Sequence, residues 1–330
     1  MKYIISIILI LTAPSFAKDY TKNQNTVKFI NMMVKEYDFK RSYLEKLFSD
    51  VTVQKTPLRL ISRKPTKKPS KELQKKYPKY GAWDRYVKYK VTKKRTQQGI
   101  SFIKKHKSTF KKVEKLYGVP SEYIAAIIGI ESVYGGNVGK YPIFDTLTTL
   151  SFEKNRRNKF FKSELKKFIL LSYRQKFNPK NVKGSYAGAI GLAQFMPSNY
   201  EAYGVDFNKD GKISLQNPHD AIASVASYLK QNGWRKNEPV ATRVSYNGTR
   251  FKAYKTGYNK KYNRSQLRGI APKYGKWNYN DKVRLIKLNR KDYDELWYAA
   301  KNFYVITRYN QSAYYAMSVH QLAKKIKKAI

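Results

Sequence analysis

One helix constrains what this chain can become. Residues 122–134 read Glu-Tyr-Ile-Ala-Ala-Ile-Ile-Gly-Ile-Glu-Ser-Val-Tyr, opened by Pro120 and Ser121 and followed by Gly135 and Gly136. Ile124, Ala125, Ala126, Ile127, Ile128, Ile130 and Val133 make most sides of the helical wheel apolar, so the helix is expected to be buried and a core must be built around it. Near its C-terminal end stands Glu131. An ionised carboxylate is costly to bury, and desolvation favours the neutral acid and raises its pKa. A carboxylic acid that is neutral near pH 7 can protonate a glycosidic oxygen. The competing reading pairs Glu131 with one of the many Lys or Arg side chains, and the spacing alone does not choose between the two.

The rest of the chain is mainly α with a small β-containing part (α+β). Its 330 residues allow one large domain or two to three smaller ones. Val27, Phe29, Ile30, Met33 and Val34 recur at helical spacing and predict two helices over 25–48. Lys, Pro and Ser dominate 52–80, which reads as a loop or wrapped connection. Helix resumes over 83–117 and stops at Gly118. A further helix is expected over 160–175, then a Gly-rich stretch over 185–197, a polar loop over 206–220 and a helix over 221–232. Period-two alternation over 240–246 and 282–288 predicts short strands. Helix is expected again over 294–302 and 313–330.

Composition narrows the setting. There is no Cys, which removes disulfides, thiol catalysis and thiolate metal sites. Lys2, the apolar run 3–11 and Ser15-Phe16-Ala17 read as an export signal cut after Ala17, too short to span a membrane comfortably. A soluble periplasmic protein is the expectation. Lys and Arg number 68 against 22 acids, a net charge of +46. Such a charge seeks anionic company: nucleic acid, anionic lipid or a polyanionic cell wall. Export and the lack of a nucleic-acid motif argue against the first, while a Lys-rich composition bias accounts for the same count. The 29 Tyr and 4 Trp suit stacking on sugars or bases; ordinary filler is the plainer reading of each.

A second constellation runs from Gly184 to Pro197, GSYAGAIGLAQFMP. Its close-set glycines let backbone approach a ligand, and Ser185 and Gln194 carry groups that hydrogen-bond sugar hydroxyls and amides. Taken together, YGVPSEYIAAIIGIESVYGG, FDTLTTLSF with Arg156 and Arg157, GSYAGAIGLAQFMPSNY and NFYVITRYNQSAYYAMSV resemble the lysozyme-like lytic transglycosylases, and more narrowly the membrane-bound lytic murein transglycosylase B family (glycoside hydrolase family 103 type). The resemblance runs from about residue 25 to the C-terminus.

It implies a lysozyme-like core with a helical accessory domain and a small β domain. The expected division is 1–17 signal peptide, 18–98 helical N-terminal region, 99–235 catalytic core, 236–300 small β-containing region and 301–330 C-terminal helical segment completing the groove. It implies Glu131 as the catalytic acid and Arg156, Arg157, Ser185, Gln194, Phe195, Tyr228, Tyr309, Asn310 and Tyr315 as saccharide contacts. Two departures stand out. Tyr134 occupies a place where the family often has Trp, and the family's lipid-anchor Cys is missing, so a membrane anchor is not expected.

A third constellation, Asp206, Asn208, Asp210, Gly211 and Lys212, matches positions one, three, five, six and seven of an EF-hand-like calcium loop, 206–217. The twelfth position is Asn217 instead of Glu. Its amide oxygen or the nearby Asp220 could close the site, with Lys212 offering its carbonyl. A structural Ca2+ of modest affinity is expected, or else a plain Asp/Asn/Gly turn. No cofactor is expected for the chemistry. His106, His219 and His320 show no ligand spacing.

The resemblance also implies a route that uses one carboxylate. Glu131 would protonate the oxygen between MurNAc and GlcNAc, the substrate's N-acetyl oxygen would stabilise the cationic centre, and Glu131 would then take the proton from the attacking C6 hydroxyl. The product is a 1,6-anhydro-MurNAc end, and no water is consumed. The alternatives are a lysozyme-type hydrolase with a second carboxylate and a non-catalytic peptidoglycan-binding protein. The expected partner is the glycan strand of peptidoglycan, with the protein a monomer.

Overall fold

The computed structural model describes residues 17–63 and 81–330. All but Ala17 of the export-signal reading over 1–17, and most of the loop expected over 52–80, lie outside the described residues. Contacts divide the described residues into two compact units, the first of 17–63 and 141–188, the second of 81–140 and 189–330. The stretch 99–235 contributes to both.

The first unit is helical: Gln24–Tyr37, Arg41–Ser49, Lys55–Ser62, Ile143–Phe152 and Asn158–Arg174, with two-residue strands pairing Ala17–Lys18 to Val51–Thr52 and Tyr141–Pro142 to Lys183–Gly184. The two helices expected over 25–48 are present. Phe29, Phe48, Phe144 and Phe152 knit its core, with ring centroids 5.2–6.1 Å apart. Helix Lys55–Ser62 falls where a loop was expected. Pro57 is the residue that misleads: it lies in the first turn, where its missing N–H leaves no hydrogen bond unmade.

In the second unit the buried helix is the hub. Ser121–Ser132 packs against Ala313–Lys328, Lys93–Lys105, Pro218–Gln231 and Lys107–Tyr117. Ile124, Ala125, Ala126, Ile127 and Ile128 are fully buried, each isoleucine side chain stabilising by about 1.5–3 kcal/mol. Four antiparallel strands follow, in the order Ile270–Pro272, Ala241–Tyr246, Asp294–Ala299, Arg284–Asn289.

The helix expected over 294–302 is corrected here: Asp294–Ala299 is a strand and the helix is Lys301–Tyr309. The strand forms a hairpin with Arg284–Asn289, closed by Arg290 N donating to Tyr293 O at 2.9 Å. Leu296 and Tyr298 then reach the cluster of Val244, Tyr262, Val283 and Leu285, while Glu295 and Trp297 alternate to the other face. The architecture is mainly helical with small sheets.

Candidate active site

Glu131 sits two residues before the left-handed end of its helix and remains partly accessible. Its Oε1 accepts a hydrogen bond from the Tyr315 hydroxyl at 2.6 Å. Burial pushes its pKa up to about 7, against the Tyr315 hydrogen bond and the Lys90 ammonium, which both favour the charged form. An acid poised there is populated in both forms near neutral pH, so it can give a proton and later take one. Burial and the nearby carboxylate push the Tyr309 and Tyr315 hydroxyls well above the ordinary phenol range. Both therefore stay protonated and act as donors.

The turn after Glu131 is strained. Val133 and Tyr134 adopt left-handed backbone, with φ 54° and 57°. A β-branched residue there is a genuine outlier, costing on the order of 1–3 kcal/mol. Ser132, fully buried, holds the turn: its Oγ donates to Leu192 O at 2.8 Å and accepts from Gly135 N at 3.1 Å. Gly191 is required by its φ of 71° and by Leu215, whose carbonyl a Cβ would strike. Gln194, itself left-handed at φ 50°, donates from Nε2 to Val138 O at 3.1 Å and Gly191 O at 2.9 Å.

Aromatic rings cluster beside Glu131 within the second unit. Tyr309 and Tyr315 are near-parallel with centroids 6.4 Å apart, and Phe195, Tyr203 and Tyr228 continue the cluster at 4.6–6.4 Å. The Tyr309 hydroxyl donates to Ala193 O and that of Tyr228 to Arg308 O, each at 2.6 Å. Phe195, Tyr228 and Tyr315 are buried, Tyr309 is half-buried and Asn310 is exposed. Of the residues read from the sequence, Glu131, Gln194, Phe195, Tyr228, Tyr309, Asn310 and Tyr315 therefore lie in the second unit. Arg156, Arg157 and Ser185 belong to the first. There the Arg157 guanidinium lies 4.2 Å from the Phe160 ring centroid, and Ser185 Oγ accepts from Ala187 N at 3.3 Å. Sequence reasoning passed over Ser132, Tyr86 and Lys90. Lys90 and Tyr86 both couple electrostatically to Glu131, from a helix that carries no motif.

In the loop 206–214, Asp206 accepts from Asp210 N at 3.2 Å and Gly211 N at 2.9 Å, and Asp210 accepts from Lys212 N at 2.9 Å. Asn208 and Lys212 hold Asp210 below the ordinary carboxylate range. Asn217 caps Pro218–Gln231, accepting from His219 N at 2.9 Å. Asp220, fully buried, accepts from Phe207 N at 2.9 Å, Asn208 N at 3.3 Å and Ser214 N at 2.8 Å. The donor set is all oxygen, with Gly211 at φ 82° free of neighbours, which fits a hard cation. No group of three or more His, Cys, Asp or Glu is gathered at a metal-holding distance among the described residues.

An acid of raised pKa on a buried helix, hydrogen-bonded by a tyrosine and flanked by aromatic rings, is an arrangement suited to protonating a glycosidic oxygen. The transglycosylase SLT domain family matches residues 21–324. The membrane-bound lytic murein transglycosylase B of Escherichia coli (strain K12) is 39% identical over 310 residues, 93% of this chain and 84% of that protein. The Escherichia coli lytic transglycosylase SLT35 in complex with bulgecin A superposes with a TM-score of 0.85 at 37% identity, covering 96% of each chain. SLT35 has also been solved in complex with calcium, at 36% identity, a TM-score of 0.85 and 96% of each chain. The soluble lytic transglycosylase SltB1 of Pseudomonas aeruginosa gives 0.83 at 38% identity, over 92% of this chain and 99% of its own. The chain belongs to the transglycosylase SLT family, the lytic murein transglycosylases.

Proposed function

We propose that Glu131 serves as acid and then base in the lytic cleavage of peptidoglycan by this chain. The observation that carries the reading is its carboxyl, held at a pKa of about 7 beside the Tyr315 hydroxyl. Protonated, Glu131 gives its proton to the oxygen between MurNAc and GlcNAc as the C1–O bond breaks. The N-acetyl oxygen of the substrate stabilises C1. The resulting carboxylate takes the proton of the MurNAc C6 hydroxyl as that oxygen bonds C1, closing a 1,6-anhydro ring and restoring the acid. Proton and electrons balance with one carboxyl group.

Gln194, Phe195, Tyr228, Tyr309, Asn310 and Tyr315 are proposed glycan contacts, and Arg156, Arg157 and Ser185, in the first unit, further contacts to the polymer. The partition at 98/99, 235/236 and 300/301 is proposed as a functional division. A structural Ca2+ would be held by Asp206, Asn208, Asp210 and the Lys212 carbonyl, with the Asn217 amide oxygen closing the set. It takes no part in the chemistry. Export to the periplasm is proposed from the leader reading. No helix among the described residues is long and apolar enough to cross a membrane.

Mass spectrometry of fragments released from purified sacculi tests the reading, with Glu131→Gln alongside. Anhydro-muropeptides from the unaltered chain alone are expected. Reducing ends would make the chain a hydrolase with a second carboxylate. Binding without release would make it a wall-binding protein.

A further inference from the structure

We propose that Tyr134 is a positioning residue for Glu131: its ring, seated in a slot between Gly99 and Gly129, latches the reversed end of the Ser121–Ser132 helix and so fixes where the Glu131 carboxyl stands. The inference rests on Glu131 as the acid. The chain must turn back directly after Glu131, and it does so through Val133 and Tyr134, both left-handed. Neither residue is at ease there, so the local backbone favours letting the helix run on. Something outside the turn must hold the reversal.

Tyr134 supplies that hold. Its hydroxyl donates to Arg95 O at 3.0 Å, on the Lys93–Lys105 helix, and its ring meets Phe102 with centroids 5.4 Å apart. A Cβ at either Gly99 or Gly129 would collide with the Tyr134 hydroxyl oxygen. Both glycines are helix-interior positions, where glycine is unfavourable unless space is needed. The Tyr134 hydroxyl oxygen would be the nearest atom to either Cβ, and at Gly99 the Ile326 Cδ1 would lie 2.6 Å away as well. Ser132 adds a second tie to Leu192 O. Glu131 lies in the chain between Gly129 and Tyr134, so a latch that shifts would carry the carboxyl out of its buried place as well as away from the Tyr315 hydroxyl, and the regained solvation outweighs the lost hydrogen bond because burial is the larger cause of its raised pKa.

The test reads Glu131 itself. The full chain, made with 13C-labelled glutamate, is titrated by NMR, and Glu131→Gln assigns the signal. Gly129→Ala forces the ring from its slot, and Tyr134→Phe removes only the hydroxyl. The Glu131 midpoint is expected to fall from about 7 toward an ordinary carboxyl in Gly129→Ala, and by less in Tyr134→Phe. In Gly129→Ala kcat falls about 100-fold, the alkaline limb of kcat/KM follows the midpoint down, and sacculus binding is unchanged. Folded variants that melt earlier yet keep the midpoint and kcat would overturn the proposal. If Gly129→Ala does not fold, Tyr134→Phe decides by the same criteria. A Glu131→Gln chain that still released anhydro-muropeptides would remove the catalytic reading and leave the midpoint shift as the separate test of the latch.

Discussion

Glu131 and Asp220 are both acids on helices of the second unit, and their surroundings differ in the number of donors. Asp220, buried at the start of Pro218–Gln231, receives three backbone N–H groups from the loop 206–214. Glu131 receives one hydroxyl, from Tyr315, among the described residues. A carboxylate saturated with donors is a structural fastener, because its charge is spent on holding backbone. A desolvated carboxylate with a single donor keeps a proton within reach of neutral pH. Donor count separates the two roles where burial alone does not.

The comparison breaks most sharply on removal of each acid. Glu131→Gln should lower the release of soluble fragments by on the order of 10³-fold with folding intact, since a positioned general acid is worth 10²–10⁴-fold. Near-wild-type release would end the distinction. Asp220→Ala should lower stability by about 3 kcal/mol, because it orphans three backbone donors, while the Glu131 midpoint stays in place. Denaturant melts read the first part and carboxyl NMR the second. An Asp220→Ala chain as stable as the unaltered one would mean that the loop is held by something else.

The next effect is smaller and carries a sign. The Tyr315 hydrogen bond favours the ionised form of Glu131. Tyr315→Phe should therefore raise the pKa of Glu131 above about 7 and move the alkaline limb of kcat/KM upward, with activity down about tenfold from the lost hydrogen bond. A limb that moves down would assign Tyr315 a different role.

What the sequence discloses follows from how local the cause is. The Glu131 helix is legible because its apolar positions and its stop lie within one window. Tyr315 is named there through the resemblance, but its hydrogen bond to Glu131 spans 184 residues, which no window contains. Strand Asp294–Ala299 was hidden for the same reason: its residues accept helix locally, and pairing with Arg284–Asn289 overrides that preference. At the loop, the twelve-residue template pointed to Asn217, whose oxygen also caps a helix. Asp220 was visible as a nearby acid, but its three donors come from the loop's own folded path.

The smallest effect is the stability cost of keeping Glu131 protonatable. Its folded pKa, about 7, lies above the unfolded value of 4.5. A group raised in this way contributes its full stability below pH 4.5 and loses it as pH rises through 7. Glutamine has no such loss. Glu131→Gln should thus melt close to the unaltered chain at pH 4.5 and higher at pH 8, by roughly 1–3 °C, since each kcal/mol is worth about 1–2 °C in a chain of this size and partial exposure of the carboxyl trims the effect. Calorimetry at the two pH values checks it. An equal difference at both would mean that the carboxyl is as well solvated in the folded chain as in the unfolded one, and the contrast with Asp220 would then rest on hydrogen bonding alone.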